Sequence, residues 1–391
     1  MKINNQQIAI IGGGPGGLTL ARLLQLKGAN VKVYERDANR TARLIGSPLD
    51  MHEGSGLAAI RKAELLEEFK KKFRAGADRK VITNEKAEVF LSDHDNKPEE
   101  DFGNAHFRPE IDRSPLRDLF LDSLQSGTMV WDSHFVSMER EKDGWRLQFK
   151  NGTSVYADLV VAADGANSKI RPYITPIKAF YSGVTMVEIN VHDASRKTPG
   201  ISALLNGGKV MAFGNGHCML GGQKHDDEIG FYASLKVDEK WASTNNIDFS
   251  DRKQLLNWFK KEFSGWSDDW FEIFENADTP AIPRPIYCVP FDQAWQSLPN
   301  ITMIGDAAHV MPPFAGEGAN MAMLDALELS EQLTSDKYSS QLEAITAYET
   351  EMRQRGAIAA KESLENGERM HAQNALEEML GFFAKHGNPG E

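Results

Sequence analysis

A short apolar run, Ile8-Ala-Ile-Ile11, stops at Gly12-Gly-Gly14-Pro-Gly-Gly17 and gives way to a helical pattern carrying Leu18, Leu20, Ala21, Leu23 and Leu24. Lys27-Gly28 closes that pattern, and Val31-Lys-Val33-Tyr34 reads as a second strand ending at Glu35. An all-apolar run suits a parallel strand buried on both faces. The order strand, glycine turn, helix, strand, acid is what a dinucleotide-binding unit requires. Gly12 would make the tight turn, Gly14 would let a pyrophosphate approach the backbone, and Gly17 would allow close helix–strand packing. The helix N-terminus favours negative charge. Glu35, about 20 residues further on, can accept hydrogen bonds from ribose hydroxyls. The competing reading is a glycine turn that serves packing alone. A similar pattern, Gly54-Ser-Gly56-Leu-Ala-Ala59, follows no buried strand and reads as a loop entering an ordinary helix.

The 391-residue chain has 44 basic and 56 acidic side chains, a net charge of −12, so nucleic-acid binding has no global electrostatic support. No apolar run approaches the roughly 20 residues of a membrane span. The start, MKINNQQIAIIGGG, lacks the pattern of a secretory signal, and the expected location is cytoplasmic. Cys218 and Cys288 are two and far apart, which argues against a disulfide framework or a zinc site. Both are expected in the core, and no metal site is expected.

Two later segments repeat the theme of an apolar strand ending in an aspartate. Asp158-Leu-Val-Val-Ala-Ala runs into Asp164-Gly165, and Ile301 to Ile304 runs into Gly305-Asp306. After Asp306 come Pro313-Phe314, then Gly316, Gly318, Ala319 and Asn320 at a helix entry, where exposed backbone N–H groups could stabilise negative charge. Taken singly, Asp164 also reads as a capping aspartate and the later stretch as a proline-containing turn. Asp143-Gly144 and Asn151-Gly152 are hairpin signals between strand-like runs.

The three motifs, in this order and spacing, resemble the group A flavoprotein monooxygenases of the para-hydroxybenzoate hydroxylase-like fold. The resemblance implies that the first glycine loop and Glu35 hold the ADP half of FAD. It also implies that Asp164-Gly165 supports FAD and the nicotinamide approach, and that Gly305-Asp306 holds the ribityl chain. A closer resemblance, to the TetX-type tetracycline-inactivating monooxygenases, rests on five segments. They are Tyr34-Glu35-Arg36-Asp37, Ala42-Arg43, Leu49 to Gly56, Pro109 to Arg113 with Leu116-Arg117, and Met303 through Asn320. It places Arg36, Arg113 and Arg117 near FAD, and Arg43 and Asp50 beside the flavin. Without it, Arg113 and Arg117, four apart on one helix face, read as a solvated basic face. The substrate positions it implies are Glu188, Lys209, Met211, Gly230, Pro313, Phe314 and Met370. Here Glu188 replaces glutamine, Lys209 arginine, Gly230 histidine, and Glu317 a glutamine in the loop. Lysine does not reproduce arginine's fork of donors. Glu188 and Lys209 would pair with each other if both faced the cavity.

The resulting expectation is an α/β chain: a Rossmann-like FAD-binding domain (1–60, 106–175, 282–335), a second domain built on an antiparallel β-sheet (61–105, 176–281), and a long C-terminal bracing helix (336–391). Trp258, Phe259, Phe263, Trp266, Trp270 and Phe271 are expected in the core. The expected activity is that of an FAD-dependent monooxygenase. NADPH or NADH reduces the flavin, O2 forms the C4a-hydroperoxyflavin, and an electron-rich polycyclic or phenolic carbon is hydroxylated, with tetracycline the leading candidate. The cofactor carries this chemistry, so no catalytic side chain is assigned. The expected partners are small molecules, with a monomeric protein. The alternatives are a general aromatic hydroxylase, an NAD-dependent dehydrogenase and a non-redox FAD-binding protein.

Overall fold

The computed structural model describes residues 3–42, 48–95, 101–104 and 107–386. The chain forms two compact units, one of residues 1–73, 113–180 and 288–363, the other of residues 74–112, 181–287 and 364–391.

The first unit is built on a five-stranded sheet in the order Ile301–Met303, Leu159–Ala162, Gln7–Ile11, Asn30–Tyr34, Met129–Val130. Every pair is parallel, with Ile10 registered between Val161 and Val33. Leu159–Ala162 is buried throughout, as the absence of any polar alternation in these residues requires. Helix Pro15–Leu26 starts with proline at its first turn, where the missing N–H costs nothing. It packs closely on helix Gly318–Thr334, because a side chain at Gly16 would begin 2.9 Å from the Ala322 carbonyl oxygen. The hairpin signals are realised in an antiparallel sheet of Phe135–Glu141, Gly144–Phe149 and Ser154–Ala157. Fully buried Glu349 accepts from Thr302 Oγ1 (2.8 Å), Ser297 Oγ (2.6 Å) and Trp295 Nε1 (3.0 Å), tying its helix to the strand that leads into Gly305-Asp306.

The second unit carries a seven-stranded sheet in the order Asp278–Cys288, Phe180–Val191, Ile229–Lys236, His217–Gln223, Lys209–Gly214, Lys80–Asn84, Val89–Ser92. It is mixed, not purely antiparallel, because Lys209–Gly214 runs parallel to Lys80–Asn84. Alternation along the strands gives it two unlike faces. Val187, Ile189, Val210, Ala212, Phe231 and Ala233 join the aromatic cluster of Trp258, Phe259, Phe263, Trp266, Trp270 and Phe274. Phe271 is only partly buried against that cluster. Glu188, Lys209, Met211 and Gly230 lie on the opposite face. Both cysteines are buried and free, and burial pushes the Cys218 thiol up to about 12 and that of Cys288 to about 11.

The C-terminal helical pattern, expected as one helix, is two: Gln341–Met370 and Ala375–His386. Buried His371 sits at the break, its Nδ1 donating to the Gly367 carbonyl (2.7 Å) and its Nε2 2.8 Å from Ser234 Oγ. Among the described residues no helix is long and apolar enough to cross a membrane.

Burial lowers the His371 pKa to about 4, so the folded protein keeps this ring neutral where the unfolded chain, near 6.5, protonates it. The unfolded state then binds more protons between those values, and stability falls as pH drops from about 6.5 to about 4. In urea titrations across that range, His371→Gln is expected to flatten this part of the pH dependence.

Candidate cofactor site

The first glycine loop meets its steric requirements. Gly12 has φ +112°, and a side chain there would begin 2.2 Å from the Ala163 carbonyl oxygen. At Gly17 a Cβ would lie 2.1 Å from the Gly12 carbonyl oxygen, so only glycine lets this helix sit against its strand. Gly14 is different. Its φ of −78° suits any residue, and nothing lies within 4 Å of where its side chain would start. The space over Gly14 is open, and no described side chain caps the helix that begins there.

Glu35, nearly fully buried, accepts from the Gly13 N–H at 2.6 Å and from the Asp37 N–H at 3.0 Å. It therefore holds the shape of the loop, and each carboxylate oxygen keeps a second lone pair for a ribose hydroxyl. Asp37, assigned no role of its own above, accepts from Arg117 Nη2 at 3.1 Å. Arg117 lies over the Trp131 ring, and its Nε and Nη1 are buried without a hydrogen-bond partner among the described residues. Buried donors of this kind require an acceptor. Arg36 is exposed and lines a surface pocket of about 360 Å³ with Asp132, His134, Lys150 and Asn151. Arg43 lies outside the described residues.

Asp164 does cap its turn, accepting from the Lys169 N–H at 2.8 Å, but Oδ1 is buried with no partner among the described residues. Burial raises its pKa, and the surrounding hydrogen bonds lower it. Its carboxyl can serve as both a cap and a ligand contact.

Asp306 is presented by a turn that a remote residue holds. Gly305 has φ +59°, and a Cβ there would meet the Ala322 Cβ at 2.7 Å. The Gly305 N–H donates to Asp325 Oδ2 (2.8 Å), which also receives His309 Nε2 (2.6 Å), while Oδ1 receives Arg355 Nη2 (2.9 Å). Asp325 and His309 are fully buried. Burial disfavours both charges, but the ion pair prevails, holding Asp325 below and His309 above its ordinary range. Asp306 itself is wetted, yet hemmed in by protein. Desolvation raises its carboxyl pKa against the pull of His309 and Arg113. Its Oδ1 lies 3.8 Å from where a side chain on Gly318 would start, at the uncapped entry of helix Gly318–Thr334.

Asn320 is buried and spends its amide on backbone, donating to the Asp50 carbonyl (2.8 Å) and accepting from the His52 N–H (3.0 Å). Gly316 has φ +69° and faces Asp50. Pro313 is exposed and Phe314 buried within Pro313–Ala315, and Ala319 is half-buried at the helix entry.

These features fit FAD. An open backbone at Gly14, two uncapped helix entries, two orphaned Arg117 donors and an orphaned Asp164 oxygen suit a pyrophosphate and a polar chain.

On the sheet of the second unit the expected Glu188–Lys209 pair does not form. Arg284 Nε donates to Glu188 instead, and Lys209 Nζ donates to Glu110 at 2.6 Å. Glu188 and Lys209 stand three strand pairings and one pleat apart, beyond each other's reach. A side chain at Gly230 would begin 2.7 Å from the Lys224 Cε, so a histidine there requires the Lys224 side chain, bonded to Asn190 and Glu228, to move. Met370 is buried at the end of its helix.

Two predictions separate cofactor contacts from packing. Gly14→Val is expected to fold normally by circular dichroism yet fail to retain flavin, whereas Gly17→Val fails to fold; a Gly14→Val protein that still takes up flavin would assign the loop to packing. Asp325→Ala strands buried His309, while Arg355 keeps Glu328, and breaking such a buried pair costs about 3–5 kcal/mol, read as a lower urea midpoint.

A family model described as an FAD binding domain matches residues 5–278 and 293–363. Monooxygenase penA of Penicillium thymicola is 28% identical over 375 residues, covering 84% of each chain. The 3-amino-4-hydroxybenzoate 2-monooxygenase PtmB3 of Streptomyces platensis is 26% identical over 340 residues, covering 84% of this chain and 80% of that one. The structure of tetracycline destructase Tet(51) aligns with a TM-score of 0.71 over 99% of this chain and 96% of that one, at 17% identity, a likeness of fold alone. With its glycine loop, paired aspartates and matched length, the chain belongs to the FAD-binding-domain family of para-hydroxybenzoate hydroxylase-like proteins and is a flavin-dependent monooxygenase.

Proposed function

We propose that this monooxygenase hydroxylates a phenolic or enolic ring system, with the first unit carrying FAD and the second choosing the substrate. The observation that carries the substrate class is one face of the seven-stranded sheet. Glu188, Tyr232, Leu220, Met211 and Ile82 form a single register row across five strands. Apolar between Glu188 and Ile82 apart from the Tyr232 hydroxyl, and carrying one aromatic ring, such a row suits a ring substrate. Arg284 and Lys209 stand on the same face about half-exposed, each over a buried carboxylate, Glu188 or Glu110. Each pair presents N–H donors to an ionisable hydroxyl without adding net charge. The hydroxybenzoate named for the Streptomyces platensis relative is a substrate of this kind.

When bound, FAD supplies the redox chemistry that couples NAD(P)H oxidation to transfer of one oxygen atom from O2. The chain's own residues bind and orient. Gly14 leaves room for the pyrophosphate, and Arg117 offers two N–H donors to it. Glu35 fixes the loop and accepts from the ribose. Asp306 accepts from the ribityl chain, and the entry of helix Gly318–Thr334 faces the ring with N–H groups. Asp164 supports the nicotinamide approach.

Tetracycline, a polycyclic enol, is the more specific candidate, and with it a closer kinship to the TetX-type enzymes. The match of Met303 through Asn320 favours it. Against it stand the committed Glu188 and Lys209 and the filled space at Gly230. A site lacking a donor that a ligand needs discriminates strongly against that ligand.

The test is NAD(P)H oxidation across a panel of phenols and tetracycline, with mass spectrometry for a product heavier by one oxygen atom. A phenol product without a tetracycline product retains the general hydroxylase; no oxygenated product from any phenol or enol rejects the proposal. The double variant Arg284→Met with Glu188→Gln removes the cation without stranding a buried carboxylate. It is expected to raise KM about tenfold, the loss of about 1.4 kcal/mol of binding, with the FAD content unchanged.

A further inference from the structure

A second cluster of charge lies at the loop Gly316–Asn320. Glu317 stands at the entry of helix Gly318–Thr334 but does not cap it. It turns instead to His52, whose Nδ1 lies 3.2 Å from Glu317 Oε1. The other ring nitrogen, Nε2, lies 3.0 Å from Asp50 Oδ2. His52 is largely buried, its side chain 11% exposed between carboxylates at 23% and 26%. The backbone repeats the link: the His52 N–H donates to Asn320 Oδ1, and Asn320 Nδ2 donates to the Asp50 carbonyl. One imidazole thus bridges two carboxylates across the segment that carries the loop.

We propose that His52 is a positioning residue that sets the charge at the Gly316–Asn320 loop and thereby the midpoint potential of FAD bound there. This rests on the reading that the loop holds the flavin. Protonating His52 places one positive charge between the two carboxylates, and losing that proton makes the cluster more negative by one. Reduction adds negative charge to the cofactor. A carboxylate at the helix entry opposes that charge, and a neighbouring cation favours it.

The chemistry of the cluster keeps the cation in place. Burial opposes charging the ring, but hydrogen bonds to Asp50 and Glu317 outweigh it and raise His52 to about 9. Among the described residues, charges adjoining the cluster include Asp306, beyond Gly318 and itself facing His309 and Arg113, and the Glu53–Arg61 ion pair on the following turn. At neutral pH the bridge is protonated, and it loses its proton as pH rises through about 9.

The experiment uses the full FAD-loaded protein, with midpoint potentials measured against reference dyes for wild type, Glu317→Gln and His52→Asn. Glu317→Gln removes a carboxylate and is expected to raise the potential. His52→Asn removes the cation and is expected to lower it. Each change is expected to alter the relative affinity for reduced over oxidised FAD roughly tenfold, about 30 mV for a two-electron couple. Wild type should show an additional fall in potential near pH 9, with His52 titrating there by NMR, and His52→Asn should not. Loss of packing alone would weaken FAD in both variants without opposite shifts. Shifts of the same sign, or no break near pH 9 while His52 titrates, overturn the proposal. Gly318→Val tests the underlying reading by FAD affinity: an unchanged affinity removes the loop from the flavin, and the proposal with it.

Discussion

Asp325 is the constraint on which the cofactor side of this molecule depends. A fully buried carboxylate is expensive unless both oxygens are hydrogen-bonded or ion-paired. Here the Gly305 N–H and His309 hold Oδ2, and Arg355 holds Oδ1. The three donors come from a turn, a short helix and the long C-terminal helix. The turn cannot relax without stranding a charge. Gly305 is held at positive φ, and Asp306 is presented at the entry of helix Gly318–Thr334. The position of one exposed aspartate is set by a neighbour that never reaches the surface.

How much of this was legible follows from the range of each interaction. The glycine loop was readable because its constraints are local: Gly12, Gly17 and Glu35 fall within one strand–helix–strand unit, and their contacts involve atoms of the same unit or the adjacent strand. The two aspartates were readable because each ends an apolar strand. The Asp325 cluster was not, although Asp325 sits on the helix that Gly318 begins, because an aspartate in a helical pattern ordinarily reads as a solvated position. Asp50 and His52 lie far from Glu317 along the chain, and nothing in a single sequence joins positions so far apart.

The substrate side was read less well, for the same reason. Glu188 and Lys209 share a face, and opposite charges on one face invite pairing. Strand order decides otherwise: two strands intervene, and the cations within reach are Arg284 for Glu188 and Lys209 for Glu110. Gly230, standing where the resembling enzymes have histidine, lacks that donor. The space a donor would occupy belongs to Lys224, which is bonded to Asn190 and Glu228. Substituting single residues from a relative would therefore meet neighbours that have already adjusted.

A further pattern concerns what the side chains of the cofactor motifs do. Glu35 binds the Gly13 and Asp37 amides, Asn320 binds the backbone at Asp50 and His52, and Asp164 binds the Lys169 amide. These polar side chains hold backbone in place, and the open positions they leave, above Gly14 and at the start of helix Gly318–Thr334, are backbone surfaces. Backbone N–H groups fixed in this way need no reorganisation when charge arrives, which is the source of their electrostatic value. It also explains why motifs rich in acidic residues suit an anionic cofactor. In Glu35 and Asp164 carboxylate oxygens are spent on backbone N–H groups of their own loops, which lessens the negative charge they present to the cofactor.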